Sequence, residues 1–297
     1  MHHDVIIIGG SFAGLSAALY IARTRRSVCV VDTRSPRNRF APHAHGFLAQ
    51  DGQSPQDILT TARSQVAAYP TVSLMDGRAV SATREEGRFN ITLATGEVMS
   101  SNLLILAFGV RDELPDIPGL AERWGHSVLH CPYCHGYEFA GQRLGVLYTS
   151  PMSFHQPLLI AEWGSTTLYL NGHPEPDPES RAKLEARGVE IEAARIEVLH
   201  GADRTLSGLE LEGGRRVAID ALYVGSRTHL NSDIAQQLGC EVEDGAFGKV
   251  IRVSEMKETT VPGVFAVGDI TRSAHTIAWA STDGVTAALA AHRSMIM

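Results

Sequence analysis

Short apolar runs alternate with helical patterns along the whole chain, and their order predicts an α/β fold. The first run, Val5-Ile6-Ile7-Ile8, is β-branched and has no polar alternation. That is the pattern of a parallel strand buried on both faces. A turn, Gly9-Gly10-Ser11-Phe12-Ala13-Gly14, leads into a helical repeat over 15–23, then a second strand over 27–31 that ends at Asp32. Ser54-Pro55 supplies an N-cap and a first-turn proline for a helix reaching to about residue 68. Strand-like segments follow over 72–75, 88–93 and around Val98, and a buried strand over 103–106 runs into Ala107-Phe108-Gly109. Pro115 and Pro118-Gly119 mark a boundary.

Past that boundary a second unit of the same kind begins. A strand is expected over 144–147, a helix over 153–162 and a strand over 167–170. A helix over about 178–187, with Gly188 as its C-cap, precedes strands around a Gly213-Gly214 turn. The last section returns to the first pattern: the apolar run 260–267 ends in Gly268-Asp269, and a small-residue helix follows over about 276–292.

The first strand, glycine turn, helix and second strand form a β-α-β unit, with Asp32 about 20 residues beyond the glycines. This arrangement is the dinucleotide-binding fingerprint. Its glycines admit a pyrophosphate, its helix N-terminus faces the phosphates, and its acid accepts from ribose hydroxyls. Ser11 stands where the second glycine is usual, and the alternative is an ordinary glycine-containing turn. The second unit lacks the fingerprint. Its turn reads Tyr148-Thr149-Ser150-Pro151-Met152-Ser153, without glycine, and a tyrosine and a proline there obstruct the approach of a pyrophosphate. After the next strand come His173, Glu175 and Asp177, where a 2′-phosphate would want arginines. At the far end, Asp269 beside a cofactor's sugar–phosphate chain would be an acceptor; the alternative is a surface turn with a packing helix.

Four cysteines occur in 297 residues, and two of them lie in His130-Cys131-Pro132-Tyr133-Cys134-His135-Gly136-Tyr137-Glu138. The pair admits a redox disulfide, half of a zinc site, or chance. Structural zinc wants four ligands, and Cys29 and Cys240 are isolated from any second pair. The redox reading has a mechanism, since a thiolate can attack a disulfide and His135 can supply charge or shuttle a proton. It is the favoured reading. In the irregular segment 38–46, His43 and His45 have no third ligand spaced to join them, so a loop packed against a bound cofactor is expected.

Composition narrows the partners. The net charge is −7 and no basic block is present, which excludes nucleic acid and anionic membrane as natural partners. No apolar run approaches the roughly 18 residues of a membrane span. Met1-His2-His3-Asp4 runs directly into a strand, leaving no room for a signal peptide, and cysteine usage is sparse. A cytoplasmic protein is expected.

Gly9 to Gly14, Asp32, Ala107-Phe108-Gly109, Cys131 to Cys134 and the segment 261–269 occur in the order and spacing of the low-molecular-weight thioredoxin reductase family, and the chain resembles it over essentially its whole length. Cys-Pro-Tyr-Cys-His-Gly-Tyr-Glu is most similar to the branch of gliotoxin- and holomycin-type dithiol oxidases, which close disulfides in small molecules with oxygen as acceptor. The resemblance implies two Rossmann-like, three-layer ββα domains and a homodimer. The FAD domain would comprise 1–115 and 227–297, and the inserted pyridine-nucleotide-type domain 116–226. Ordinary reductases have an aspartate after the second cysteine, and a glycine fingerprint with a basic cluster in the second domain; this chain has His135 and neither of the others.

By position, the resemblance implies that Cys134 faces the flavin, Cys131 exchanges with substrate, and His135 is the acid/base, with a proton affinity near neutrality. Gly9, Ser11, Phe12, Ala13 and Gly14 would line the FAD pyrophosphate, with Asp32 on the ribose. Asn38 and His45 would contact the flavin side. Val80, Ala107 and Gly109 would border the cofactor, Gly268 and Asp269 would hold the ribityl–phosphate segment, and Thr276 with Ile277 would lie at the pyrimidine edge. Ser11 and Phe108 depart from the family pattern. No metal is expected.

Three functions follow. The first is oxidation of a small dithiol through Cys131 and Cys134 to FAD and then oxygen. The second is reduction of thioredoxin or a similar protein, with electrons from NADPH or a protein donor such as ferredoxin. The third is a non-catalytic, flavin-bound redox sensor or partner-binding module. Tight NADP(H) binding by the second domain is not expected.

Overall fold

The computed structural model describes residues 1–297, apart from the side chain of Met152. It divides into two compact units: Met1–Arg39, Pro55–Arg111 and Thr228–Met297 form one, Phe40–Ser54 and Asp112–Arg227 the other. The loop Phe40–Ser54, expected within the first unit, groups with the second. The chain passes between the units in strands Val110–Glu113 and Arg227–Leu230, which pair with each other.

In the first unit, strand His2–Ile8 lies between Val28–Asp32 and Val98–Leu106, parallel to both. Its residues Val5, Ile6 and Ile7 are wholly buried, as the unbroken apolar run requires. Val72–Asp76 and Val264–Ala266 add further parallel strands. The sequence pattern split 98 from 103–106, but one nine-residue strand covers both. Its first half pairs antiparallel with Arg88–Leu93 and its second half parallel with Val264–Ala266, so it joins two kinds of sheet. Strand Ala79–Glu85 was missed. It buries only Ala79 and Ala82 and exposes Arg84 and Glu85, so its apolar signal is weak, and pairing with Arg88–Leu93 decides it.

Helices Phe12–Arg23 and Ile277–Ser294 pack on this sheet through small residues. A Cβ on Gly284 would stand 2.1 Å from the Ala13 carbonyl oxygen, so the two backbones touch only because no side chain intervenes.

In the second unit the strand order is Glu190–Glu192, Ser165–Tyr169, Arg143–Leu147, Ala221–Val224, Val128–Leu129, all parallel. A three-stranded antiparallel sheet stands beside it, with its last hairpin turning at Gly213 and Gly214, both at positive φ. The expected helix over 153–162 is only Gln156–Ile160, after a 3-10 turn at Pro151–Phe154. Pro157 has no amide hydrogen to donate, which confines it to the first turn and shortens the element. Helix Pro178–Ala186 starts on an Asp177 cap, and Gly188 beyond its end takes φ +69°.

Candidate active site

In the first unit the expected cofactor-binding residues form a cradle. Gly9 takes φ +108°, and a Cβ on it would lie 2.2 Å from the Ala107 carbonyl oxygen. A Cβ on Gly14 would lie 1.8 Å from the Gly9 carbonyl oxygen, so strand, turn and helix close on one another without side chains. Ser11 is the N-cap of helix Phe12–Arg23 by backbone, its side chain making no cap bond, and Phe12, Ala13 and Gly14 form the buried first turn. Such an N-terminus favours a phosphate. A Cβ on Gly10 would come within 2.8 Å of the Asp32 carboxylate, which places that acid directly beside the turn. These positions fit the pyrophosphate and ribose of a dinucleotide.

Sequence reasoning missed what holds Asp32. Arg63, on helix Pro55–Ala67, donates from Nη1 to Asp32 Oδ2 at 2.8 Å and from Nη2 to Asp76 Oδ1 at 3.2 Å. Nothing in the local sequence marks Arg63, since the link spans two elements.

The C-terminal part of the cradle is also internally braced. Gly268 takes φ +76° and donates its amide to Asp283 Oδ2 at 3.3 Å. Asp269 accepts from Arg37 Nη1 at 3.3 Å, and that nitrogen is 2.6 Å from His275 Nδ1. Thr276 caps helix Ile277–Ser294 by accepting from the Trp279 amide at 3.0 Å. Asn38 sits half-buried in the turn Arg37–Phe40, Ala107 is buried, and Gly109 takes φ +67°. The Val80 side chain is exposed, while its carbonyl accepts from Gln237 Nε2 at 3.2 Å.

The redox pair lies in the second unit. Cys131 and Cys134 form a disulfide with their Cα atoms 5.3 Å apart. Cys131 is the N-cap of the one-turn helix Pro132–His135: its Sγ accepts from the Cys134 amide at 3.2 Å, and Pro132 starts the turn. A Cβ on Gly136 would meet Trp163 at 2.7 Å, and Tyr133 is edge-on to the same indole. His130 Nδ1 lies 3.3 Å from the Val224 carbonyl oxygen. Cys29 and Cys240 are buried, and burial pushes the Cys29 thiol up to about 11, so it stays unreactive.

His45, expected on the flavin side, lies in the loop grouped with this unit. Its Nε2 is 3.3 Å from Glu138 Oε1, and its Nδ1 is 3.7 Å from Asp51 Oδ1. His135 is pushed down to about 4, first by burial, with His45 and His126 adding to the effect and Glu138 opposing it. An imidazole near neutrality was expected; desolvation in the folded chain overrides that value.

This has a consequence for stability. Unfolded, His135 takes up its proton near 6.5; folded, it does so only near 4. Between those values the unfolded state binds more protons, so stability falls as the pH drops from 6.5 towards 4. Urea unfolding at pH 7 and near the lower limit is expected to show roughly 2–3 kcal/mol lost through this group, a loss that His135→Asn abolishes. An equal acid sensitivity in the variant would contradict the assignment.

The turn after strand Arg143–Leu147 is filled from within. The amides of Thr149 and Ser150 both donate to Ser153 Oγ, at 3.0 and 3.2 Å. The Tyr148 ring lies 5.0 Å from Phe154 and 4.9 Å from His173. Amides that could meet a phosphate are thereby engaged, and the tyrosine ring packs at a tilt against those of Phe154 and His173. Among the described residues, no three His, Cys, Asp or Glu side chains converge as a metal site, and no helix is long and apolar enough to cross a membrane.

Comparison with known proteins accords with this geometry. The family described as pyridine nucleotide-disulphide oxidoreductase matches residues 3–147 and 171–293, leaving out the stretch that holds the filled turn. Thioredoxin reductase tcpT of Claviceps purpurea is 35% identical over 277 residues, covering 90% of this chain and 86% of that protein. The crystal structure of an oxidoreductase from Agrobacterium tumefaciens superposes with a TM-score of 0.95 at 46% identity, covering 100% of this chain and 99% of that one. The crystal structure of HlmI gives 0.94 at 38% identity, over 99% and 93% of the two chains. The thioredoxin reductase-like resemblance read from the sequence, on its gliotoxin- and holomycin-type side, is borne out by these matches.

Proposed function

The chain belongs to the pyridine nucleotide-disulphide oxidoreductase family, and on that premise we propose that it oxidises a small dithiol to a disulfide, with oxygen as the final acceptor. It is a thioredoxin reductase-like FAD oxidoreductase acting on sulfur. The observation that carries the dithiol-oxidase reading is the internally filled Tyr148 turn in a unit that keeps the Cys131–Cys134 disulfide. Substrate thiols then become the natural electron source, in place of a bound nicotinamide.

In this reading the unit containing Gly9 to Gly14 holds FAD, through the cradle glycines, Asp32 and the Gly268-Asp269 turn. The other unit is a pyridine-nucleotide-type fold that has given up its ligand. Substrate thiolate attacks Cys131 Sγ, the Cys131–Cys134 bond breaks, and Cys134 leaves as a thiolate. The second substrate thiolate attacks the substrate sulfur of the mixed disulfide and expels Cys131, so two electrons pass from substrate to the cysteine pair. His135, neutral at physiological pH, takes the proton of the attacking thiol. FAD, when bound, supplies the two-electron acceptor that allows the disulfide to re-form, with oxygen as the terminal oxidant. A cytoplasmic homodimer accompanies the reading, supported by the family resemblance and by sparse cysteine usage.

An anaerobic cuvette tests this. Dithiothreitol is expected to bleach the flavin band and air to restore it, while NADPH leaves it unchanged on the same time scale. Rapid bleaching by NADPH would establish a disulfide reductase instead. Bleaching by neither would point to a protein electron donor or a sensor.

A further inference from the structure

The cradle of the first unit has to receive a diphosphate beside its own acids, and several cations of that unit already hold carboxylates. Arg63 holds Asp32 at 2.8 Å, while Lys257 and Arg272 both hold Asp283, at 2.8 and 2.5 Å. Arg37 is placed differently. Its Nη1 lies 3.3 Å from Asp269 Oδ2 and 2.6 Å from His275 Nδ1, and its side chain is 19% exposed. The imidazole against it is neutral by donor count. His275 Nε2 is 2.9 Å from the Arg272 carbonyl oxygen, which only accepts, so that nitrogen carries the hydrogen. Nδ1 then accepts from the guanidinium, holding it without taking up any of its charge.

This contact stands next to the phosphate-facing end of a helix. Asp269 is the second residue of the turn Gly268–Thr271, and a Cβ on Gly268 would stand 3.2 Å from the Ala13 Cβ. Ala13 lies in the first turn of helix Phe12–Arg23, whose N-terminus favours a phosphate. The Asp269 carboxylate is therefore close to the place of the diphosphate, and the two repel unless a cation faces both. As a stabilising device alone, a partly exposed pair at 3.3 Å adds little.

We propose that Arg37 is the cation that receives the FAD diphosphate, with His275 as the residue that positions it. A guanidinium presents its donors in a planar fork, enough to meet a carboxylate, an imidazole and a phosphate oxygen together. The proposal rests on the assignment of this cradle to FAD and is independent of whether a dithiol or another donor reduces the cofactor.

The full chain, freed of flavin, is titrated with FAD and separately with riboflavin, which lacks both phosphates, and binding is read from flavin fluorescence. Arg37→Gln is expected to weaken FAD by about 10- to 100-fold, the range of a hydrogen bond to a charged group, and to leave riboflavin within about twofold. Arg37→Lys, which keeps the charge without the planar fork, is expected to recover part of that loss. His275→Phe keeps a ring without the acceptor nitrogen, and a smaller loss confined to FAD is expected. Where riboflavin binds too weakly to compare, the salt dependence of FAD affinity decides, since it flattens when a charge contact with phosphate is removed. Equal weakening of both ligands by Arg37→Gln would reduce Arg37 to a brace of the Asp269 turn and overturn the proposal. So would an unchanged salt dependence, or an FAD affinity within about twofold of wild type. A wild-type chain that binds no FAD would instead remove the assignment of the cradle to the cofactor. Melting temperatures of the flavin-free variants, expected to match wild type, check that each is folded.

Discussion

Cys134→Ser is expected to abolish turnover, lowering dithiol oxidation by roughly a thousandfold or more, as loss of a covalently acting residue does. A serine oxygen cannot close the bond to Cys131, so the pair can neither accept nor release two electrons. The fold should survive the change. Beyond the disulfide itself, Cys134 also donates its backbone amide to Cys131 Sγ, and serine retains that amide. Gly136 and Tyr133, which seat this turn against Trp163, are also untouched. The measurement is oxygen consumption with dithiothreitol, accompanied by the melting temperature and the flavin spectrum. A yellow, normally melting protein without turnover is the expected result. Residual activity within tenfold of wild type would remove the cysteine pair from the electron path.

Asp283→Ala is the second large effect, on stability. The Asp283 side chain is 5% exposed, and its Oδ1 accepts from Lys257 Nζ at 2.8 Å and Arg272 Nη2 at 2.5 Å. Its Oδ2 accepts the Gly268 amide. Alanine leaves Lys257, itself 15% exposed, without its carboxylate, and frees the turn that carries Asp269. Removing one partner of a buried ion pair costs about 3–5 kcal/mol. Chemical denaturation should show a loss of that size, together with weaker FAD retention on gel filtration, because the same carboxylate braces the Gly268 turn. A loss below about 1 kcal/mol would mean that the cations find other partners or water.

Much of the fold was legible because strands buried on both faces must be apolar throughout. Val5 to Ile8 and Leu103 to Leu106 therefore announce themselves without neighbours. Strand Ala79–Glu85 did not, since half of it faces water and the buried half is alanine. Helix Gln156–Ile160 was overestimated because apolar spacing extends on both sides of it, while a 3-10 turn precedes it and Pro157 can stand only in its first turn. The cysteine pair was visible from its spacing, and the nucleotide cradle from glycines followed by an acid. Arg63, Asp283 and the His45–Glu138 contact were not visible, because each depends on residues far apart in sequence.

The sequence by itself determined the chemistry available: a glycine turn that can admit a pyrophosphate, a redox-capable cysteine pair, and a second turn whose residue types argue against one. Those are local properties, set by the presence or absence of a Cβ, a thiol or an aromatic ring. The tertiary structure alone decided how that chemistry is tuned. Burial pushed His135 down to about 4, the loop Phe40–Ser54 set His45 on Glu138, and Ser153 captured the amides of its own turn. Proton affinity and hydrogen-bond satisfaction depend on what surrounds a group once water is removed, and that is decided by the fold rather than by chain neighbours.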